Sequence, residues 1–144
     1  MRQLAKNVEE LRSAVRSRGL RATPSRLAVL EILRGSDAPM SHGEVADRLA
    51  SQSWDRATIY RNLIDLADAG LVRRTDVGDH VWRFEARLPG DDHETSHPHF
   101  VCVECGSVEC LPEAELAVRR TRAPRAIKQR RVEVHVRGVC DACM

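Results

Sequence analysis

The residues able to do chemistry gather in the last third of this chain. All five cysteines follow residue 101, and four of them form two pairs, Cys102-Val-Glu-Cys105 and Cys140-Asp-Ala-Cys143. A C-x-x-C turn aims two sulfurs at one ion. Two such turns complete the closed tetrahedral shell of a structural zinc. The intervening stretch, residues 106–139, is 34 residues long, beyond the ~15–20 of a simple zinc ribbon. A strand–helix–strand excursion fills that length. The competing chemistry is two thioredoxin-like redox pairs. Those would each open a helix within a βαβ unit, and neither motif does.

A second group of donors lies beside the first. His97-Pro98-His99 precedes Cys102. Residues two apart on a strand share a face, so both imidazoles can bind one ion. Cys102 has the opposite parity, so the histidines serve a different ion from the cysteines. Glu85 and the fifth cysteine, Cys110, are the candidate partners. Imidazoles with a carboxylate and a thiolate suit zinc or another late divalent metal. His93 is a further candidate, whereas His42, His80 and His135 read as surface residues. The plain alternative is a polar strand edge with ordinary histidines.

These groups need a scaffold. The chain has 144 residues, 42% hydrophobic and 31% charged, a globular balance with room for one domain or two small ones. No apolar run approaches the ~18 residues of a membrane span. The N-terminus has no apolar signal core, and Glu9 and Glu10 argue against a transit peptide. A cytoplasmic location is expected, without a membrane partner. Residues 85–118 carry eight acidic residues and one basic, whereas residues 119–131 carry seven basic and none acidic. That contrast marks an acidic, metal-friendly segment followed by a basic strip.

The first half reads as helices. Val8, Leu11 and Val15 recur at helical spacing until Gly19. Thr23-Pro24 is a cap followed by proline at the first helical position; Leu27, Leu30, Ile32 and Leu33 give that helix an apolar face, and Gly35 ends it. Ser41 and Glu44 form a capping box ahead of Val45 and Leu49. Asp55 caps a helix whose core side is Ile59, Leu63, Leu66 and Ala67, and Gly70 ends it. The period then changes to two. Leu71–Arg74 and His80–Phe84 flank a turn at 76–79, a hairpin signal. Helices closed by a hairpin make a winged helix, with the last helix set for the DNA major groove.

Residues 86–96 read as a hinge. Beyond it, HFVCVEC and SVECL read as paired strands. A helix runs from Pro112 to about Arg122, Ala123-Pro124 breaks it, and Val132, Val134 and Val136 mark a last strand. The expected organisation is α+β: a winged-helix DNA-binding domain over 1–85, the hinge over 86–96, and a small α/β dimerisation domain over 97–144.

The stretch Asp55-Arg-Ala-Thr-Ile-Tyr-Arg-Asn-Leu63, then Ala69-Gly-Leu71 and Arg83-Phe-Glu85, then His97-Pro-His-Phe-Val-Cys102-Val-Glu-Cys105-Gly106 and Cys140-Asp-Ala-Cys143 resembles the ferric uptake regulator (Fur) family of bacterial metal-dependent repressors. The resemblance covers nearly the whole chain. It implies a homodimer that binds double-stranded operator DNA when a regulatory metal at the hinge sets the angle between DNA-binding domains. It assigns Cys102, Cys105, Cys140 and Cys143 to structural zinc. It also assigns Glu85, His97 and His99 to the regulatory metal. Cys110 stands where the family has an acidic ligand, with Glu109 as its neighbour. Ala38 stands where the family often has a histidine, and Val132 where a further family site has one, so that site is not expected here.

The candidate DNA contacts are Arg56, Thr58, Tyr60 and Arg61 on the last helix, Arg21 near the second, and Arg73 and Arg74 on the wing. Arginine can pair with a guanine edge or a phosphate, and the tyrosine ring can meet a thymine methyl. Branches of the family respond to iron, zinc, manganese, nickel or peroxide. A soft thiolate at Cys110 favours Zn2+ over Fe2+ or Mn2+, which points to the zinc-uptake branch. Iron sensing and peroxide or thiol oxidation are the alternatives. A zinc-dependent hydrolase or deaminase would need an open coordination position and a carboxylate acid–base. The closed four-cysteine set leaves none, so no enzyme and no small organic substrate are expected.

Overall fold

The computed structural model describes residues 2–87, 98–111, 122, 124–128 and 134–144. The chain divides into two units, Met1–Leu88 and Pro89–Met144. The expected 86–96 hinge falls largely outside the described residues, as do His93, His97, the 112–121 part of the expected helix and most of the basic strip. Among the described residues no helix is long and apolar enough to cross a membrane.

In the first unit, α1 (Arg2–Ser17) buries Leu11 and Val15. Gly19 then takes a φ of +78°, a left-handed turn that favours glycine. In α2 (Pro24–Arg34) the Thr23 hydroxyl accepts the Arg26 amide at 3.3 Å, and proline occupies the first turn. The buried stripe of α2 is Val29, Leu30 and Leu33, while Leu27 and Ile32 are only partly covered. The expected face of Leu27, Leu30, Ile32 and Leu33 thus holds for Leu30 and Leu33 and omits Val29. At 100° per residue, 29, 30 and 33 make the narrower face, and 27 and 32 flank it.

The two-residue strand β1 (Met40–Ser41) leads into α3 (His42–Arg48), which has its full capping box: Ser41 Oγ accepts the Glu44 amide and Glu44 the Ser41 amide, both at 3.2 Å. Asp55 caps α4 (Arg56–Asp68) by accepting the Thr58 amide at 2.7 Å. Two polar ties set α4 against α2. Asn62 Nδ2 donates to Ser25 Oγ at 3.0 Å in the interior, and Arg26 pairs with Asp65 at 2.6 Å.

The wing is β2 (Val72–Asp76) paired antiparallel with β3 (Trp82–Ala86). The sheet order is β1-β3-β2, with Met40 opposite Phe84. The sequence reading did not contain β1. Phe84, 1% exposed on the central strand β3, belongs to the core of the first unit. The β3 strand begins later than expected and does not alternate simply. Val81 and Trp82 are exposed while Arg83 and Phe84 are both buried. Buried Arg83 keeps its charge compensated by Asp79 at 2.8 Å, as a buried charge requires. This unit is a winged helix, and the whole chain is α+β.

The second unit contains β4 (His99–Cys102), β5 (Val108–Cys110), α5 (Arg125–Lys128) and β6 (His135–Gly138). Its sheet order is β5-β4-β6, with β4 antiparallel to β5 and parallel to β6. Among the described residues the last strand is His135–Gly138, and Val132 of the expected strand lies outside them. Val134 lies before it and only its carbonyl joins the sheet, accepting the His99 amide at 3.0 Å. The expected break at Ala123-Pro124 is followed at once by α5, because a proline is tolerated where a helix begins. Gly138 has a packing reason. A Cβ there would come within 3.1 Å of the Phe100 ring.

Candidate metal centres and nucleic-acid interface

Parallel pairing of β4 with β6 explains how residues far apart in sequence meet. Cys102 stands opposite Gly138 at the same end of both strands. Each strand then runs into its own C-x-x-C turn, so the two turns emerge side by side. Gly106, with φ of +74°, completes the first turn. Cys143 N–H donates to the Cys140 carbonyl at 2.9 Å in the second. The four sulfurs of Cys102, Cys105, Cys140 and Cys143 all lie within 4.8 Å of one another. Cys105 and Cys140 are 3.8 Å apart, which matches the ~3.8 Å edge of a tetrahedron built on Zn–S bonds of about 2.3 Å. None of the five cysteines is in a disulfide.

The electrostatics of the quartet are those of thiols sharing few protons. Backbone amides of Cys105 and then Cys140 donate toward Cys102 and lower its pKa to about 6, the Cys140 N–H lying 3.4 Å from its sulfur. Cys105 is lowered by Ser107, whose hydroxyl is 3.2 Å from its sulfur. Cys143, facing first Cys140 and then Cys105, is pushed up to about 12. Cys102 gives up its proton readily, whereas Cys143 holds its own against the charge beside it. A divalent cation is what such a set needs to ionise fully.

The second donor group stands on the same sheet. His99, 2% exposed, lies directly opposite Cys110, and its ring nitrogen and the Cys110 sulfur are within 4.8 Å. His97 and His93 lie outside the described residues. Glu85 is half-buried on β3 of the first unit, opposite Arg73.

Two histidines, His135 and His42, depart from the surface reading, whereas His80 is exposed as expected. His135 is the register partner of His99 on the other side, with ring centres 6.2 Å apart and planes 21° from parallel. His42 shares a 2.8 Å hydrogen bond between its Nε2 and the Arg56 carbonyl, and meets the Tyr60 ring edge-on at 5.3 Å. His80 takes a φ of 62° at the wing turn. The signal for His135 is its position in a strand register, and periodicity along one strand does not carry that.

On α4, Ile59, Asn62, Leu63 and Leu66 are buried. Arg56, Tyr60 and Arg61 are exposed, Tyr60 to 44%, and Thr58 is half-buried near the helix start. Arg56 is held by Asp47 at 2.7 Å on the surface. Arg21 and Arg74 are exposed and Arg73 half-buried. Trp82, expected only as part of the hairpin strand and not among the DNA contacts, is 46% exposed beneath Arg74.

The ferric uptake regulator family model matches residues 17–137. The chain is 29% identical over 142 residues to the peroxide-responsive repressor PerR of Staphylococcus aureus, covering 94% of this chain and 90% of that one. Its structure resembles that of the Vibrio cholerae ferric uptake regulator with a TM-score of 0.66 and 26% identity, over 90% of this chain and 98% of that one. It also resembles a zinc uptake regulator complexed with zinc and DNA, with a TM-score of 0.56 and 25% identity over 99% of this chain and 93% of that one. Winged helix, strand-borne donor groups and family match agree: the chain belongs to the ferric uptake regulator family of metal-responsive transcription regulators.

Proposed function

We propose that this protein is a cytoplasmic repressor that binds operator DNA as a homodimer when its regulatory metal is bound, and that the metal is zinc. The observation that carries the zinc reading is the pairing of buried His99 with Cys110 across β4 and β5. A thiolate beside an imidazole selects zinc over iron or manganese. The four-cysteine set takes a second, structural zinc.

In this reading His97 completes the group from the second unit, and Glu85 supplies a carboxylate from the end of the wing. The bound ion fixes the angle between DNA-binding domains so that two recognition helices meet half-sites about one DNA turn apart. Metal shifts that equilibrium only by its differential affinity for the two arrangements. Operator DNA must then tighten metal binding by the same factor.

The test is a titration of zinc, ferrous and manganous ions against a labelled operator selected from a random duplex pool. Zinc should restore binding at the lowest free concentration, and Cys110→Ser should abolish that preference. Equal DNA affinity with and without every metal would defeat the switch. The relation to a peroxide-responsive repressor supports a second reading, oxidation by peroxide of a thiol beside the metal. Hydrogen peroxide added to the ferrous complex should release DNA only if that reading holds.

A further inference from the structure

Cys110, His99 and His135 form one rung across the three strands of the second sheet. His99 is the direct partner of Cys110 on β5 and of His135 on β6. Directly paired residues project from the same face of a sheet, with neighbouring strands about 4.8 Å apart. A thiol and two imidazoles therefore stand side by side on one surface of a hydrogen-bonded platform.

We propose that His135 is a ligand of the regulatory metal, joining His99 and Cys110 in a site built on this rung. The inference rests on the metal-switch reading above. Two imidazoles on one tetrahedral zinc, with Zn–N bonds of about 2.0–2.1 Å, have ring centres about 5 Å apart. The His99 and His135 rings are 6.2 Å apart, about one ångström beyond that figure. His135 is half-buried while His99 is buried. The looser side chain covers the difference by rotating toward the fixed one. Cys110 is already within 4.8 Å of His99 on the other flank.

The rung also has a chemical consequence. Ligands carried on paired strands are held in place by the backbone ladder, so little ordering is required when metal binds. Two imidazoles and a thiolate make a soft, nitrogen-rich set that suits zinc and disfavours manganese. With the His97 of that reading, four ligands then belong to the second unit, enough for a tetrahedral ion before Glu85 joins it. The site can load before the DNA-binding domains settle into one arrangement.

The test uses the full-length dimer with its structural zinc in place and cobalt(II) as the added probe. Wild type should take one cobalt per chain, with a thiolate-to-cobalt band in the near ultraviolet and tetrahedral bands in the visible. His135→Phe keeps a flat ring against His99 and removes the nitrogen. It should bind cobalt at least tenfold more weakly and lose the tetrahedral bands, whereas His80→Ala should match wild type. A His135→Phe protein with the wild-type spectrum and an affinity within twofold would overturn the proposal and leave the metal-switch reading standing, provided Cys110→Ser loses the charge-transfer band. Wild type that takes no cobalt beyond its structural metal would overturn both. Carbethoxylation of wild-type histidines, mapped by mass, gives an answer that needs no variant. Metal should protect half-buried His135, and His135 modified equally with and without metal refutes its role.

Discussion

The Arg74 guanidinium lies 4.2 Å from the centre of the Trp82 indole ring, on the exposed side of the wing. Stacking uses the face of the guanidinium and leaves its in-plane N–H donors available. The indole therefore holds the arginine extended without consuming its hydrogen bonds. In the repressor reading this arginine meets a phosphate.

Arg74→Ala should flatten the dependence of log affinity on log salt by about one unit, the share of one phosphate contact. Trp82→Leu should leave the slope unchanged and weaken binding by about 0.5–1 kcal/mol, the worth of an exposed cation–π pair. Fluorescence anisotropy with labelled operator between 50 and 200 mM salt reads both. A wild-type slope in Arg74→Ala would remove the wing from the interface.

Arg61 projects from α4 on the side away from the buried Ile59–Leu63–Leu66 stripe. Arg61→Ala should cost about 1–3 kcal/mol of operator affinity, the value of one good base contact. Sedimentation should show an unchanged oligomeric state. Binding equal to wild type at physiological salt would mean that Arg61 is only a solvated charge.

The helices of the first unit were legible because their signals are local. Thr23, Ser41 and Asp55 each cap the helix that follows, and each lies beside the amides it satisfies. The strands fared less well for the opposite reason. Met40 and Ser41 become a strand only because β3 passes beside them, and two residues carry no period to detect. The rung of Cys110, His99 and His135 depends on a parallel pairing between distant segments. Cys102 and Cys140 announced their shared site because spacing within each C-x-x-C is itself local. His135 carried no such spacing, and its place became visible only with the register.

Asn62 and Ser25 offer a stability test inside the first unit. Asn62 Nδ2 donates to Ser25 Oγ at 3.0 Å, and both residues are buried. Ser25→Ala leaves that amide without its acceptor, at a cost of about 1–3 kcal/mol. The melting temperature of the first unit should fall by about 4–8 °C for each kcal/mol. Replacing both residues with apolar ones should cost less than Ser25→Ala alone. Additive losses would show that the two side chains are not coupled.

Asp55 gives a prediction in pH. Its pKa lies below the ordinary 3.8, chiefly because the Thr58 hydroxyl and then the Thr58 amide donate to its carboxylate. A carboxylate whose folded value is depressed stabilises the fold above the unfolded value of about 3.9 and loses that contribution as pH falls through the folded one. The gap in urea midpoint between wild type and Asp55→Ala should therefore be constant from pH 7 to pH 5. It should close as the solution is taken below about pH 4. A gap that widens on acidification would assign the cap to the neutral acid.

The four-cysteine set carries the largest expected effect. Structural zinc sites contribute about 10–16 kcal/mol in small zinc-binding peptides at neutral pH, as much as the whole stability of a typical domain. The sheet of the second unit is short, and its β4 and β6 ends are joined through the two C-x-x-C turns. Removing one thiolate should thus leave this unit unable to hold its fold. Cys102→Ser should lose its zinc by elemental analysis and its near-ultraviolet dichroism, while the far-ultraviolet helix signal of the first unit persists. Cys110→Ser should keep the structural zinc in full. A Cys102→Ser protein that retains one tightly held zinc per chain would show that three thiolates suffice. One that loses its zinc yet keeps its dichroism would show that the sheet stands without the metal.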